Sequence, residues 1–511
     1  LDAFTTGYEN VAIGGHAGGT LTTGYTSTFV GYYAGASATT AGNNNYFGYA
    51  AGLGTTGGGN VGIGNHTMKN GSGDAADNTA VGGSSLYAIT TGDKNTTLGQ
   101  STGEALTTTS NTVLIGYQAG YAINSADADG TIAIGYQAGL AITDGQYNTA
   151  IGHEALKTED TGNYNTAIGY QALTTQNVNG TVNNTAVGYK AGYAVTTAIE
   201  ATILGSNAGV SLTEGQYNTL IGAGTAFALT TGDYNTALGY RALYQEDVGR
   251  GTTAIGYQTL YSQNSDSNDE ETGNTAVGFQ AGYDISTGTN NTLIGWQAGD
   301  NASTLGNSVG IGYQAMGGAT GSLLTGANAT VAIGYQAWGN ADGNSGNGVY
   351  IGYLAGKYDI NGGNVAVGYR AMEVASGSNM VKNVAIGTQS QQNISYTNSN
   401  NNVSIGYHTL KGGAVTGIVA NNVAIGMGAL SSVTAATSNT AIGGRSALQN
   451  LTSGDNNVAI GDGAGQMATT TGDCILIGNS AGNTLDGTGP NGSIAIGYSA
   501  LAVHTTGARN I

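Results

Sequence analysis

A short unit repeats along the whole sequence, and this repetition constrains the fold more than any other feature. Taking the first Gly of the unit as position zero, 28 copies lie between Gly14 and Gly497, about 17.9 residues apart on average. The interval is 17 residues in 14 of 27 cases. Repeats of this kind are typical of solenoids, in which each unit stacks on its neighbours. A representative copy is Asn165-Thr166-Ala167-Ile168-Gly169-Tyr170-Gln171-Ala172-Leu173.

The residues before the repeated Gly predict a short β-strand in each unit. Position −1 is apolar in all 28 copies, and position −3 is Thr, Val or Ile in all but one, where it is Asn45. Side chains alternate between the two faces of a strand, so positions −1 and −3 share a face, which we expect to point into the core. Position −2 is Ala in 16 copies and is never charged. A face in water would carry charges, so we expect a second chain to cover position −2.

Position −4 predicts a ladder of polar side chains along the solenoid. It is Asn in 18 copies, and stacked Asn side chains can hydrogen-bond from one coil to the next. The repeated Gly itself indicates a tight bend or a positive φ. The ladder is predicted to include Asn148, Asn165, Asn184, Asn218, Asn235, Asn274 and Asn291.

The second half of many units, such as residues 228–234, reads as another strand that ends in a Gly-Asp turn. The predicted fold is therefore all-β: a parallel β-solenoid of about 28 coils of about 17 residues each, in one continuous array over residues 1–511. Longer loops are expected at 262–273 and 316–330. Both ends of the sequence fall within a coil, which predicts a segment of a longer protein.

Composition excludes several classes of partner. The chain has 30 acidic and 12 basic residues, a formal charge of −18, and no cluster of Lys or Arg, which argues against a nucleic-acid partner. No apolar run approaches the roughly 18 residues that span a bilayer, so no membrane insertion is expected. Cys474 is the single cysteine, so there is no intrachain disulfide.

Residues with catalytic chemistry are scattered rather than grouped. The histidines occupy turn positions in distant coils and lack metal-ligand spacing. Cys474 takes a position that is usually Asn, and no base is evident beside it. We therefore expect no catalytic residues, no cofactor and no enzymatic activity. The five histidines are His16, His66, His153, His408 and His504.

An aromatic row is the first of two candidate binding features. Position +1 is Tyr in 14 copies, and aligned rings can stack on one another or form a platform for sugar rings. A structural role is the favoured interpretation. The candidate sugar-stacking residues are Tyr170, Tyr189, Tyr240, Tyr257 and Trp296.

The second feature is the acidic insertion after Ser262. Its carboxylates could bind Ca²⁺, but they lack the spacing of an EF-hand, so a solvated loop is favoured over a metal site. These carboxylates belong to Asp266, Asp269, Glu270 and Glu271.

Four strand cores resemble the head repeats of trimeric autotransporter adhesins, while the Asn-Thr-Ala-Ile-Gly-Tyr-Gln-Ala variant is closer to repeats of phage tail-fibre-like proteins. The resemblance implies a left-handed β-roll, a homotrimer and surface attachment. The coils here are longer than those of the adhesin heads. The four cores are Val11-Ala12-Ile13-Gly14, Val384-Ala385-Ile386-Gly387, Val423-Ala424-Ile425-Gly426 and Val458-Ala459-Ile460-Gly461.

These observations favour an extracellular structural or adhesive fibre, such as a virion tail fibre or a cell-surface adhesin, with a glycan or protein receptor as a further candidate partner. The alternative is a self-assembling filament without a receptor. An enzyme built on a solenoid is disfavoured. A lyase needs a basic residue beside clustered acids in a groove, an acyltransferase solenoid has a six-residue period and a catalytic His, and neither pattern is visible.

Overall fold

The structure is a computed structural model that describes residues 3, 5–267, 270–317, 328–340, 346–359, 362–373, 380–394, 398–412, 415–485, 491–503, 509 and 511. The chain divides into two compact units. Unit 1 comprises Leu1–Gly251 with Ser267–Glu270, and unit 2 comprises Thr252–Asp266 with Glu271–Ile511. The same repeat builds both units, and the prediction of one continuous array stays a prediction.

The repeated strands are three residues long in almost every coil and end just before the repeated Gly. They are β1 (Val11–Ile13), β2 (Thr28–Val30), β3 (Asn45–Phe47), β4 (Val61–Ile63), β5 (Thr79–Val81), β6 (Thr96–Leu98), β7 (Val113–Ile115), β8 (Ile132–Ile134), β9 (Thr149–Ile151), β11 (Thr166–Ile168), β13 (Thr185–Val187), β14 (Thr202–Leu204), β15 (Thr219–Ile221), β16 (Thr236–Leu238), β17 (Thr253–Ile255), β18 (Thr275–Val277), β19 (Thr292–Ile294), β20 (Val309–Ile311), β21 (Val331–Ile333), β22 (Val349–Ile351), β23 (Val365–Val367), β24 (Val384–Ile386), β25 (Val403–Ile405), β26 (Val423–Met427), β27 (Thr440–Arg445), β28 (Val458–Ile460), β29 (Ile475–Ile477) and β30 (Ile494–Ile496). Two shorter strands, β10 (Gly162–Asn163) and β12 (Gly180–Thr181), pair with each other.

Within each compact unit, each repeated strand pairs in parallel with the equivalent strand of the next coil, position for position except for a register shift between β26 and β27. In unit 1, Thr149 pairs with Thr166, which in turn pairs with Thr185. In unit 2, Thr253 pairs with Thr275. The molecule is thus a parallel β-solenoid of about 27 turns, about 17 residues apart. The predicted all-β solenoid class is confirmed.

The predicted second strand of each coil is wrong for most of the chain. Within the described ranges, the only strands outside the repeated set are β10 and β12, and residues 228–234 form bends and no strand. The amides of Thr213, Glu214 and Gly215 all donate to the carbonyl of Thr230, at 2.9, 3.2 and 3.4 Å. Because the amides of three consecutive residues converge on one carbonyl oxygen of the next coil, the backbone of residues 213–215 curls instead of extending as a strand.

The strand faces are reversed relative to the prediction. The residue at −2 is buried in every coil after the first, in which Ala12 is half-buried; examples are Ala167 and Ala254 at 0% exposure. Positions −3 and −1 face outward and are half-buried or exposed. The sequence correctly predicted that side chains alternate between two faces of each strand, but it assigned the buried face to the wrong positions. Each coil encloses a narrow interior that favours Ala at −2, so the β-branched side chains lie outside. The expectation that a second chain covers position −2 is therefore also wrong.

Large residues at −2 are accommodated by glycine elsewhere in the same coil. Phe29 and Tyr350 are fully buried at this position. A Cβ on Gly35 would lie 2.4 Å from the Phe29 ring, and one on Gly356 would lie 2.1 Å from the Tyr350 ring. A large side chain at −2 is thus paired with a Gly, which has no side chain, at the position that the ring would otherwise meet, so the interior stays closely packed.

Helical structure is confined to one short 3₁₀ turn, Ala126–Ala128, within the described ranges. No helix among the described residues combines the length and the apolarity that crossing a bilayer would need.

Candidate functional site

The Asn residues at position −4 form runs of buried hydrogen bonds inside successive coils, interrupted where another residue takes the position, as at Ala201. The Asn148 Oδ1 accepts from the amide of Asn165 at 2.9 Å, and its Nδ2 donates to the carbonyl of Gly162 at 2.7 Å. The Asn184 Nδ2 likewise donates to the carbonyl of Ala198 at 2.7 Å. Each of these side chains therefore hydrogen-bonds to backbone groups that have no partner in the strand pairing and connects neighbouring coils.

Asn218, Asn274 and Asn291 behave in the same way, whereas the Nδ2 of Asn165 has no hydrogen-bond partner among the described residues. Asn218 accepts from the Asn235 amide at 2.9 Å, and Asn274 accepts from the Asn291 amide at 2.9 Å. The Asn291 Nδ2 also donates to the Asn274 Oδ1 at 3.0 Å, so side-chain to side-chain bonds supplement the backbone contacts in part of the array. The ladder is a structural device within the interior and offers no surface to a ligand.

Cys474 occupies the same interior position. Its amide donates to the Asn457 Oδ1 at 3.2 Å, and its Sγ lies 3.3 Å from the carbonyl oxygen of Gly472. Burial raises the pKa of the thiol, which keeps it protonated and weakly nucleophilic. This position gives Cys474 a packing role.

The aromatic residues at position +1 stack on one another along the surface. Tyr170 and Tyr189 lie 5.3 Å apart between ring centroids and 9° from parallel. In unit 2, Phe279 stacks on Tyr257 at 5.0 Å and on Trp296 at 4.0 Å. Rings stacked in this way cover each other's faces and turn their edges to solvent. Within such a stack little of a ring face is left open, and the sugar-stacking role of the five candidate residues stays a prediction.

The described histidines pack against tyrosines of this row, His153 from position +1 and His16, His66 and His408 from position +2. His153 stacks between Tyr136 and Tyr170, at centroid distances of 4.9 and 5.2 Å. His408 packs against Tyr407, and burial lowers its pKa, with a smaller effect from Lys411. These contacts give the described histidines packing roles, and His504 lies outside the described residues.

A second ladder, of glutamine side chains, runs beside the aromatic row and was missed in the sequence analysis. In unit 2 each Gln Nε2 donates to the Oε1 of the Gln in the preceding coil, at 2.8 to 3.1 Å. The repeated Gln at +2 was the available signal. The ladder is formed by Gln258, Gln280, Gln297, Gln314 and Gln336.

The acidic insertion shows no metal centre in its described part. Asp269 lies outside the described residues. The carbonyl oxygen of Glu270 accepts from the amide of Arg250 at 2.9 Å. Throughout the described ranges, which include Asp266 and Glu271, no three His, Cys, Asp or Glu side chains are grouped so as to hold a metal ion.

An acidic pair in unit 2 was also missed. Burial raises the pKa of Asp300 to about 6, with a further contribution from the charge of Asp284. The folded state therefore holds this proton at pH values where the unfolded chain, with an ordinary Asp pKa of about 3.9, has lost it.

We expect the stability of unit 2 to fall as pH rises from about 4 to about 6, because the folded state binds more protons over that window. The Asp300→Asn variant should abolish this descent and gain about 1 kcal/mol at neutral pH, after allowance for solvent screening. Urea unfolding at a series of pH values measures both effects. As a control, Asp284→Asn should move the descent to lower pH without removing it. Unchanged pH profiles for both variants would contradict the assignment.

Cavities open at two of the places in the described ranges where the aromatic row is interrupted. One, of about 170 Å³, lies in unit 1 beside Tyr240 and Arg241. The other, of about 240 Å³, lies in unit 2 between Arg445 and Asp462 and has a polar lining.

Comparison with family models and curated proteins assigns no family to this chain. No protein-family model matches the chain, and no curated protein matches it significantly.

Proposed function

We propose that this chain is a non-catalytic extracellular structural and adhesive fibre segment that assembles as a homotrimer, as in a virion tail fibre or a cell-surface adhesin. The observation that carries the proposal is the outward face of the repeated strands. Its two columns, positions −3 and −1, consist of Thr, Val, Ile and Leu almost without exception. Surfaces of this kind normally mark interaction sites.

The side chains at position −1 are exposed to a degree unusual for large apolar residues. Ile63, Leu98, Leu238 and Ile294 have 42%, 49%, 44% and 39% of their surface exposed. Successive rows along each unit are separated by roughly 4.8 Å, the spacing of hydrogen-bonded strands. A partner with the same row spacing can match this face along its length, and another copy of the chain has that spacing.

The trimer and the left-handed coil come from the resemblance to adhesin head repeats, and the apolar face supports self-association independently of that resemblance. A role in attachment fits the repeat architecture, since stacked coils extend a surface without requiring catalytic chemistry. The second candidate, a filament without a receptor, is favoured by the same face if its contacts are heterologous and do not close.

We expect the chain in solution to have three times its monomer mass of 50.7 kDa. The double variant Ile168→Lys/Ile221→Lys should reduce the mass to that of a monomer, because Lys at these positions is solvated in the free chain and is desolvated in an assembly. Light scattering behind a sizing column measures the mass.

A matched control places the same charge elsewhere on the surface. Tyr234 is 58% exposed and lies outside the strand face, so Tyr234→Lys should leave the assembly intact. A monomeric wild-type chain would refute self-association, and an open-ended polymer would favour the filament.

A further inference from the structure

The row of residues at position +1 departs from the repeat over three successive coils of unit 2. The row holds Met427 before this stretch and Tyr498 after it, and in between it holds Gly444, Asp462 and Asn479. Gly444 has no side chain, and the other two replace a stacking ring with a carboxylate and an amide. The aromatic surface thus gives way to a polar one over three coils.

The backbone departs from the repeat at the same place. Gly443 lacks a positive φ, whereas the other repeated glycines of the described ranges have a φ between +115° and +142°. The strand runs on through the usual bend, so β27 ends at Arg445 instead of at Ile442. A register shift against β26 accompanies this extension, and Met427 pairs with Arg445. Irregularities of this kind re-aim a side chain and are common beside functional sites.

The cavity of about 240 Å³ lies where these two departures coincide. Its volume is several times the ~30 Å³ that one water molecule takes up in the liquid, so it admits a small organic molecule. Every side chain that lines it can donate or accept a hydrogen bond. These side chains belong to Arg445, Ser446, Asp462, Gln466, Asn479 and Ser480.

The two charged groups of this cavity have no protein partner. Arg445 and Asp462 lie in adjacent coils, but no N–O distance between them is within the 4.0 Å of a salt bridge. Neither side chain forms any other hydrogen bond within the described part of the chain. The Asn479 Oδ1 accepts from the Ser480 Oγ at 3.0 Å, which leaves the Nδ2 of Asn479 as a further donor. Two opposite charges thus flank the cavity, and both side chains are exposed to an incoming ligand.

We propose that this cavity binds a small zwitterion in which a carboxylate and an ammonium are close together, as in an α-amino acid. The Arg445 guanidinium donates paired N–H groups to the ligand carboxylate, and the Asp462 carboxylate accepts from the ligand ammonium. The Asn479 Nδ2 supplies a further donor to the ligand carboxylate. A simple anion would be repelled by Asp462, and a simple cation would be repelled by Arg445. The site goes beyond the proposed function, since it requires neither self-association nor attachment.

Other arginines of the chain provide an internal contrast. Arg370, also in unit 2, forms a salt bridge with Glu373, three residues away. Arg241 lines the cavity of unit 1, where its guanidinium carbon lies 5.1 Å from the ring centroids of both Tyr240 and Tyr244, and no carboxylate lines that cavity. An arginine and an acid that face one cavity without pairing are thus particular to the cavity in unit 2, of the two.

The test uses glycine, acetate and methylammonium, which carry both charged groups, the carboxylate alone and the ammonium alone. The full-length protein is titrated with each compound, and binding is followed by saturation-transfer NMR and calorimetry. We expect saturable binding of glycine and at least tenfold weaker binding of acetate and of methylammonium, about 1.4 kcal/mol in each case. The reason is that each of the smaller ions pairs with one charged side chain and is repelled by the other.

Four variants separate the site from the fold. Asn479→Tyr installs the residue that the repeat favours at +1 and fills the cavity while both charges remain, so it should weaken glycine binding at least tenfold. Arg445→Gln should weaken glycine binding to the same extent. Asp462→Asn should weaken glycine binding and strengthen acetate binding, because the repulsion of an anion is removed. Arg241→Gln lies outside this cavity and should bind glycine like wild type. Circular dichroism should show all four folded.

Absence of saturable glycine binding, equal binding of acetate or methylammonium, or full glycine binding by Asn479→Tyr would each overturn the site. The titration needs neither assembly nor cells. A trimer that fails to bind glycine therefore refutes only this site, and a monomer that binds it refutes only the proposed assembly.

Discussion

Replacement of Gly169 by Ala is expected to destabilise unit 1 by about 3–5 kcal/mol. Gly169 has a φ of +134°, and an added Cβ would lie 2.3 Å from the carbonyl oxygen of Gly188 in the next coil. The contact is with backbone that is held by strand pairing, so it cannot be relieved by a side-chain rotation. The cost therefore combines backbone strain with the separation of two stacked coils.

A second glycine isolates the steric part of this effect. Gly180 has a φ of +84°, but a Cβ there would meet nothing within 4 Å. The Gly180→Ala variant should lose only about 1–2 kcal/mol, from the backbone conformation alone. Urea unfolding followed by circular dichroism compares the two variants, and hydrogen exchange of coils on either side locates the loss. Equal losses would show that stacking against Gly188 contributes nothing.

Replacement of Asn218 by Ala is expected to cost about 2–5 kcal/mol, because it leaves two buried backbone groups unpaired at about 1–3 kcal/mol each. Asn218 is fully buried. Its Oδ1 accepts from the Asn235 amide at 2.9 Å, and its Nδ2 donates to the carbonyl of Gly232 at 2.9 Å. Ala occurs naturally at this position as Ala201, so the smaller side chain is compatible with the fold.

The ladder supplies its own control. The Asn165 Oδ1 accepts from the Asn184 amide at 3.2 Å, but its Nδ2 has no hydrogen-bond partner in the described part of the chain. Asn165→Ala should therefore cost about half as much as Asn218→Ala. Urea unfolding measures the difference, and faster hydrogen exchange at the Asn235 amide should accompany the larger loss. A larger loss for Asn165→Ala would refute this account of the ladder.

Spacing and residue type predicted the regular part of the fold because they act locally. The interval between repeated glycines predicted the coil length, and the strand signal at Thr166–Ile168 is the strand observed. Asn at −4 predicted buried ladder residues such as Asn148 and Asn291. These features repeat from coil to coil, so one local solution applies along each unit.

The sense of the strand faces could not be obtained in this way. Alternation shows that Thr166 and Ile168 share a face, but it does not say which side is enclosed. The enclosed side is decided by the width of a closed coil, which admits Ala167 and excludes a row of Ile. The prediction of a second strand failed for a related reason. Several amides of one coil converge on the Thr230 carbonyl of the next coil, and a contact between coils cannot be read from one repeat.

By itself, the sequence determined the repeat length, the strand positions, the interior Asn ladder and the acidic charge, because these follow from periodicity and composition. Only the tertiary structure decided that the β-branched face points outward, that the aromatic rings cover one another, and that the interruption at Asp462 and Asn479 opens a cavity beside Arg445. The physical reason is that stacking brings together residues about 17 positions apart, and whether their side chains fill or leave space depends on the coils above and below.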